Sequence, residues 1–428
     1  MKNIALALLA ILIISCNTQN TGTAEPDVPY VLSQEDVKIV GETDGGFEVL
    51  VGQLLRVEVV SLSDENVDYS WLLDGNKIAA TKNLEYMMES AGVFELTLVA
   101  TQGKLEFSYL SSVRVIEEEV VEPQEDATAY ITQVLDYMPA AGQYTNKLPL
   151  YEDGDTQQSI NEKVLSMVGN NNQQTVSLGG YGGYVIVGFD HTIENKEGLR
   201  DFRVLGNAFY GDTTPLGGSC EAGIIMVAYD ANKNGVPDED EWYEIAGSAH
   251  NDPTAESWYS MALEAGNDMN FYSDYSITYY KPETEPENLD EFSTYIRWVD
   301  NKGGEGYIPK STFYTQPYFP EWVEDSSLTF SGSRLPQNGI ETSSNNYVLY
   351  KFGYGYADND TNSEDGSAID ISWAVDASGN SVELTGVDFI KVYTGVNQVN
   401  GWISECSTEF SGIEDLHILG VEISSEVE

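Results

Sequence analysis

The 428-residue chain has three histidines and three cysteines. So little imidazole leaves few ways to build a histidine-assisted nucleophile or a zinc centre. No CxxC pair marks a metal knuckle or a redox site. Basic residues are scarce: 20 Lys+Arg stand against 70 Asp+Glu, a formal net charge of −50. A surface this acidic repels phosphate backbones, so no nucleic-acid partner is expected; it attracts cations and keeps an exported protein soluble. The G-x-S-x-G elbow, the H-E-x-x-H helix, the Walker loop and a dinucleotide fingerprint in a strand–turn–helix setting are all missing. His191, His250 and His417 lie far apart in sequence and read as structural. With this many acids, a carboxylate pair at glycosidase spacing arises from abundance alone. No enzyme is expected.

The N-terminus carries a clear signal. In MKNIALALLAILIISC, Lys2 is a positive n-region and Ile4 to Ile14 an apolar core too short to span a bilayer. Its Ile-Ile-Ser-Cys ending resembles a bacterial lipobox, which implies that Cys16 is the lipidated first residue of the mature chain. Attachment to the membrane is then by lipid anchor only. Residues 1–16 are read as signal and lipobox, and the polar 17–34 as a tether.

From 35 to 116, short alternating apolar runs separated by turn residues fit a small β-sandwich. Trp71 in YSWLLDG, followed by ESAGVFELTLVAT, resembles the PKD-like branch of immunoglobulin-type modules, in which the Trp packs in the core. EEEVVEPQEDAT, 117–128, reads as an acidic linker. Across 129–420 one helix is predicted in SINEKVLSMV (159–168), with Ile160, Val164, Leu165 and Val168 on one face. The rest is about ten strands without βα alternation. The fold class is therefore all-β: an Ig/PKD-like sandwich followed by a larger antiparallel sandwich or jelly roll with minor helix. The glycine-rich SLGGYGGYVIVG (177–188) precedes a strand and reads as a tight-packing feature.

DANKNGVPDEDE (230–241) follows the twelve-residue calcium-loop pattern. Asp230, Asn232, Asn234, the Val236 carbonyl, Asp238 and Glu241 occupy the ligand places, Gly235 takes the sharp turn, and Asp240 is a substitute last ligand. The flanks look extended rather than helical and Pro237 offers no N–H, so a paired EF-hand is not expected. The loop resembles the isolated DxNxNG loops of dockerins and thrombospondin-type repeats, and a structural Ca2+ is expected in it. ADNDTNSEDGSA (357–368) repeats the alternation with Asp358, Asp360 and Asn362 but lacks Gly in sixth place. Cys220 and Cys406 form either a disulfide or two separate buried thiols.

Aromatics in polar, glycine-bearing segments, NKGGEGYIPKSTFYTQPYFPEWVED (301–325) and VYTGVNQVNGWISECSTEF (392–410), are candidate binding platforms. Tyr181, Tyr307, Trp322 and Trp402 are the candidate ligand contacts; core packing is the alternative for each.

The stretches VSLGGYGGYVIVGFDHTIEN, DFRVLGNAF, IIMVAYDANKNGVPDEDEWYEIAGS, IRWVDNKGGEGYIPKSTFYTQPYFPEW and VDFIKVYTGVNQVNGW resemble a family of Bacteroidetes cell-surface lipoproteins with an N-terminal PKD-like module. Members of that family occur beside TonB-dependent receptors, often in corrinoid uptake. The resemblance implies an outer-membrane lipoprotein, displayed at the cell surface or facing the periplasm, that captures cobamide (vitamin B12) for an outer-membrane TonB-dependent receptor. A calcium-stabilised glycan-binding or adhesive protein is the alternative. The calcium loop here is one residue longer than the family's DxNxNGxPDDEW, and the residues after Cys16 depart from the usual surface-export signal.

Overall fold

Alternation of apolar and polar residues decides most of what the chain builds. The computed structural model describes residues 37–40, 46–61, 67–103, 105–116, 126–343 and 345–427. Cys16, the tether and most of the acidic linker lie outside them. The chain divides into two compact units, Met1–Glu119 and Val120–Glu428. Among the described residues no helix is long and apolar enough to cross a membrane.

In the first unit, Val37–Val40, Leu54–Ser61 and Leu84–Met87 form a three-stranded antiparallel sheet. A five-stranded sheet runs Phe47–Leu50, Leu105–Ile116, Gly92–Gln102, Asp68–Leu73, Asn76–Ala79, its first pair parallel and the rest antiparallel. Leu96, Leu98 and Ala100 alternate inward along one strand and meet Leu55, Val57 and Val59 from the other sheet. Trp71 is fully buried among them, and its Nε1–H donates to the Thr81 carbonyl at 3.0 Å. Asp74 and Gly75, both at positive φ, close the two-residue hairpin between Leu73 and Asn76.

The second unit is built on a six-stranded antiparallel sheet. Its order is Ala374–Val375, Trp242–Ile245, Gly223–Ala228, Gly386–Thr394, Tyr184–Glu194, Gln133–Met138. Both faces of this sheet are covered. Ile225, Val227, Ile390, Val392, Val185 and Val187 enter one core, while Ile224 and Tyr393 enter the other. This accounts for the uninterrupted apolar runs GIIMVA and YVIV. Helix Gln157–Val168 packs Ile160, Val164 and Val168 into the first of these cores; Thr156 caps it through a reciprocal pair of hydrogen bonds with Ser159.

The opposite core lies against two four-stranded antiparallel sheets. One is Glu305–Ile308, Ile296–Asp300, Tyr272–Tyr280, Ser327–Arg334; the other is Phe209–Tyr210, Gly217–Ser219, Asn346–Tyr350, Gly339–Ser343. The SLGGYGG turn works by close approach. Gly179 and Gly182 have φ of +69° and +84°, and a Cβ on Gly183 would overlap the Leu178 carbonyl. Strands dominate throughout, and the all-β class stands.

Candidate functional site

Three loops of the second unit meet at one end: residues 140–147, 309–318 and 397–405. Hydrogen bonds lock them together. The Gln143 backbone N–H donates to Glu405 Oε1 at 2.6 Å and its side-chain Nε2 to the Ile403 carbonyl at 2.6 Å. Gln316 Nε2 donates to the Gln143 carbonyl, Ser404 Oγ to the Pro309 carbonyl at 3.3 Å, and Tyr144 Oη to Tyr314 Oη at 2.6 Å.

Ser404 adopts φ +73°, ψ −136°, a conformation that side-chain-bearing residues rarely hold. It follows the short turn Gly401–Ile403, and it allows the Asn400 N–H to reach the Ser404 carbonyl.

Two features of this face suit a ligand. Its rim exposes large aromatic side chains: Trp402 is 64% exposed and Phe313 87%, with Tyr307 exposed on the neighbouring strand. Its base holds buried polar atoms with no partner, namely Gln143 Oε1, Glu405 Oε2 and both amide atoms of Asn400. Most buried polar atoms in proteins are paired, so a concentration of orphans next to exposed rings is unusual. Burial pushes the Glu405 carboxyl up to about 7, against the opposing effect of the Gln143 N–H. Gly142 makes room for this carboxylate, since a Cβ there would lie 2.6 Å from Glu405 Oε1.

The four aromatic candidates separate. Trp402 is exposed on the third of these loops, and Tyr307 is exposed on strand Glu305–Ile308, just before the second. Trp322 is half-buried between Tyr137 and Tyr151, ring centroids 6.4 Å from each, and its Nε1 donates to Gln157 Oε1 at 3.0 Å. Tyr181 is a correction to the sequence reading. It is 1% exposed, its hydroxyl donates to the Ser333 carbonyl at 3.0 Å, and a ring closed into the core on every side cannot touch a ligand. Phe313, Gln143, Asn400 and Glu405 were not singled out from sequence.

The DANKNGVPDEDE segment joins strands Gly223–Ala228 and Trp242–Ile245, so it is a hairpin loop without flanking helices. Asp230 accepts the N–H groups of Asn234 (2.9 Å) and Gly235 (2.8 Å). Glu241 accepts those of Ala231 (3.1 Å) and Asp238 (3.0 Å), and Asp238 Oδ2 accepts the side-chain amides of Asn232 and Asn234. Lys233 and Gly235, at φ +59° and +80°, bend the chain inward, and Asp388 Oδ2 anchors the loop by accepting the Asp230 N–H at 2.8 Å. Cys220 and Cys406 are both buried and free. Burial pushes the Cys220 thiol up to about 12. The three histidines each contact acids: His191 with Asp190 and Asp415, His250 with Glu244, His417 with Asp201.

No protein-family model matches the sequence, and no curated protein does. Among solved structures, a SusE-like protein, BT2857, aligns over 89% of this chain and 97% of its own at 8% identity and a TM-score of 0.20. The Bacteroides ovatus mixed-linkage glucan utilization locus protein SGBP-B, solved with a mixed-linkage heptasaccharide, aligns over 86% of this chain and 100% of its own at 11% identity and a TM-score of 0.18. A quinonprotein alcohol dehydrogenase-like protein of Bacteroides thetaiotaomicron covers 25% of this chain and 24% of its own, at 13% identity and a TM-score of 0.17. Superpositions this loose carry no argument about ligand or chemistry.

Proposed function

We propose that the second unit is a binding domain and that its ligand is a glycan, taken at the face formed by residues 140–147, 309–318 and 397–405. The observation that carries this is the exposure of two large aromatic side chains, Trp402 and Phe313, on loops that hydrogen bonds through Gln143 and Ser404 fasten to their neighbours. Sugar rings present C–H faces that stack on aromatic side chains. An open face with rigid rings suits a chain of sugars better than the single large, partly anionic cobamide that the family resemblance suggested, especially on a protein of net charge −50.

In this reading Cys16 carries the lipid that fastens the chain to an outer membrane, and a TonB-dependent receptor takes up what is captured. The loop Asp230–Glu241 is a structural calcium site. What supports it is the ligand spacing together with the inward bend: Asp230, Asp238 and Glu241 each accept hydrogen bonds from inside the loop, and an ion would take the place of those donors with the Asn232 and Asn234 amides turned oxygen-first.

The test is a glycan array in calcium-containing buffer, followed by isothermal titration of the hits and of cyanocobalamin. Binding to oligosaccharides that weakens severalfold in Trp402→Ala supports the proposal. A blank array together with heat from cyanocobalamin replaces it with the cobamide reading.

A further inference from the structure

One row of side chains crosses the central sheet of the second unit on the face that carries Tyr393. Strand by strand it reads Val375, Glu244, Met226, Lys391, Ile186, Asp136, each residue paired with the next. All six are half-buried. Lys391 therefore stands in the middle of a sheet, with Met226 and Ile186 on either side. Its chain neighbours Ile390 and Val392 enter the core behind, which puts the lysine on the same face as Tyr393.

The Lys391 amine lies over two rings, 4.5 Å from the Tyr184 centroid and 5.8 Å from that of Tyr393. Lys163, Lys302, Lys310 and Lys351 each meet a carboxylate. Among the described residues Lys391 Nζ meets none and has no hydrogen-bond acceptor, yet it is not sealed from solvent. The two acids of its row are engaged elsewhere. Asp136 accepts the Tyr184 hydroxyl at 2.6 Å and the Tyr137 N–H at 2.9 Å. Glu244 contacts His250 and accepts the Tyr393 hydroxyl at 3.3 Å.

An ammonium withdrawn from water without a paired anion is disfavoured, and ring faces offset only part of this. Burial accordingly pulls the Lys391 amine below the ordinary lysine range, with the Asp136 charge working the other way. A lysine amine held neutral between apolar walls is a nucleophile. We propose that Lys391 is a covalent modification site for small aldehydes. The Nζ lone pair attacks the carbonyl carbon, the C=O pair moves to oxygen and takes a proton, and loss of water leaves a C=N bond to Nζ. This imine forms reversibly and needs no oxidant or reductant. Half-burial of the side chain restricts entry to small carbonyl compounds. The site requires neither the glycan face nor an ion in the Asp230–Glu241 loop.

The experiment incubates the purified full chain with acetaldehyde at pH 7 and at pH 10 and traps imines with sodium borohydride, whose hydride converts each to a stable secondary amine. Peptide mass spectrometry reads the adduct on Lys391 against that on Lys147, an exposed lysine, so that the effect of pH on the reagents cancels. The ratio of Lys391 to Lys147 adduct should be severalfold higher at pH 7 than at pH 10. A ratio equal at the two pH values would make Lys391 an ordinary ammonium and overturn the proposal, as would an unlabelled Lys391 at both. In short incubations at pH 7, Lys391→Arg should lack the first adduct that wild type gains, and an equal adduct count by intact mass in the folded variant would also overturn it. The wild-type ratio decides the matter even where the variant fails to fold.

Discussion

Gln143 and Glu405, 262 residues apart in the chain, are joined by a backbone N–H to carboxylate hydrogen bond of 2.6 Å, and each keeps one buried oxygen unpaired. The contact fastens two loops of the proposed binding face. Glu405→Ala leaves the Gln143 N–H buried without an acceptor, and it is expected to cost about 1–3 kcal/mol of unfolding free energy. Glu405→Gln keeps an acceptor and cannot ionise. The folded carboxyl, at about 7, lies above its unfolded value, so its stabilising contribution is complete below the unfolded pKa and is lost as pH rises through about 7. Urea midpoints should therefore show wild type losing ground to Glu405→Gln between pH 5 and pH 8. Parallel profiles would refute the burial argument.

Trp402 and Phe313 are exposed enough for truncation to leave the fold alone. Trp402→Ala and Phe313→Ala should each shift melting by less than about 0.5 kcal/mol. Ring stacking contributes about 0.5–1.5 kcal/mol, so each variant should bind oligosaccharide roughly 2- to 12-fold more weakly. Trp322→Ala should do the reverse. Its ring packs against Tyr137 and Tyr151, so stability falls while affinity in the folded protein holds. Titration calorimetry and thermal melting on the same samples separate the two outcomes.

Local features carried their meaning in the sequence, and distant meetings did not. The helix ending at Val168, the Asp74–Gly75 hairpin, the buried Trp71 and the extended flanks of the calcium loop each follow from a few neighbouring residues. The double coverage of the central sheet was harder to see, because an apolar run such as GIIMVA reads the same whether one face is buried or two. Glu221, Glu405 and Glu409 stand alone in GSCEAGI and SECSTEF, distinguished only by an acid among small and apolar neighbours. What brings them near Asp358 is pairing between segments that nothing local records. Tyr181 misled although the glycine-rich turn around it reads as a packing feature, because a tyrosine among glycines looks the same whether its ring meets a ligand or the core.

His191 gives a pH-dependent prediction of known sign. Burial opposes its charge, but hydrogen bonds to Asp415 at 2.7 Å and Asp190 at 3.0 Å outweigh this and raise its pKa. A histidine raised on folding stabilises the protein fully below its unfolded pKa, and that contribution is lost as pH climbs through the folded value. Wild type should thus lose stability relative to His191→Gln as pH rises from 6 to 9, and the His191 ring resonances should titrate above the ordinary imidazole value. A resonance that titrates below it would contradict the Asp415 contact.

Calcium at the Asp230–Glu241 loop is tested by thermal melting with and without the ion. The ends of the loop are held by strand pairing between Ala228 and Trp242, so the protein should remain folded in chelator. Ions of the extracellular class bind with Kd of about 10⁻⁴–10⁻³ M, and a hundredfold excess of ligand over Kd adds about 2.7 kcal/mol. The melting temperature of the wild type should therefore rise steadily across the millimolar calcium range and fall back with EDTA. Asp230→Asn removes a charged ligand that also holds the N–H groups of Asn234 and Gly235, and the calcium response should disappear. Magnesium, which demands a tighter octahedron at about 2.1 Å, should reproduce little of the rise. A wild-type melting curve indifferent to calcium would leave the loop as a hydrogen-bonded turn with no ion.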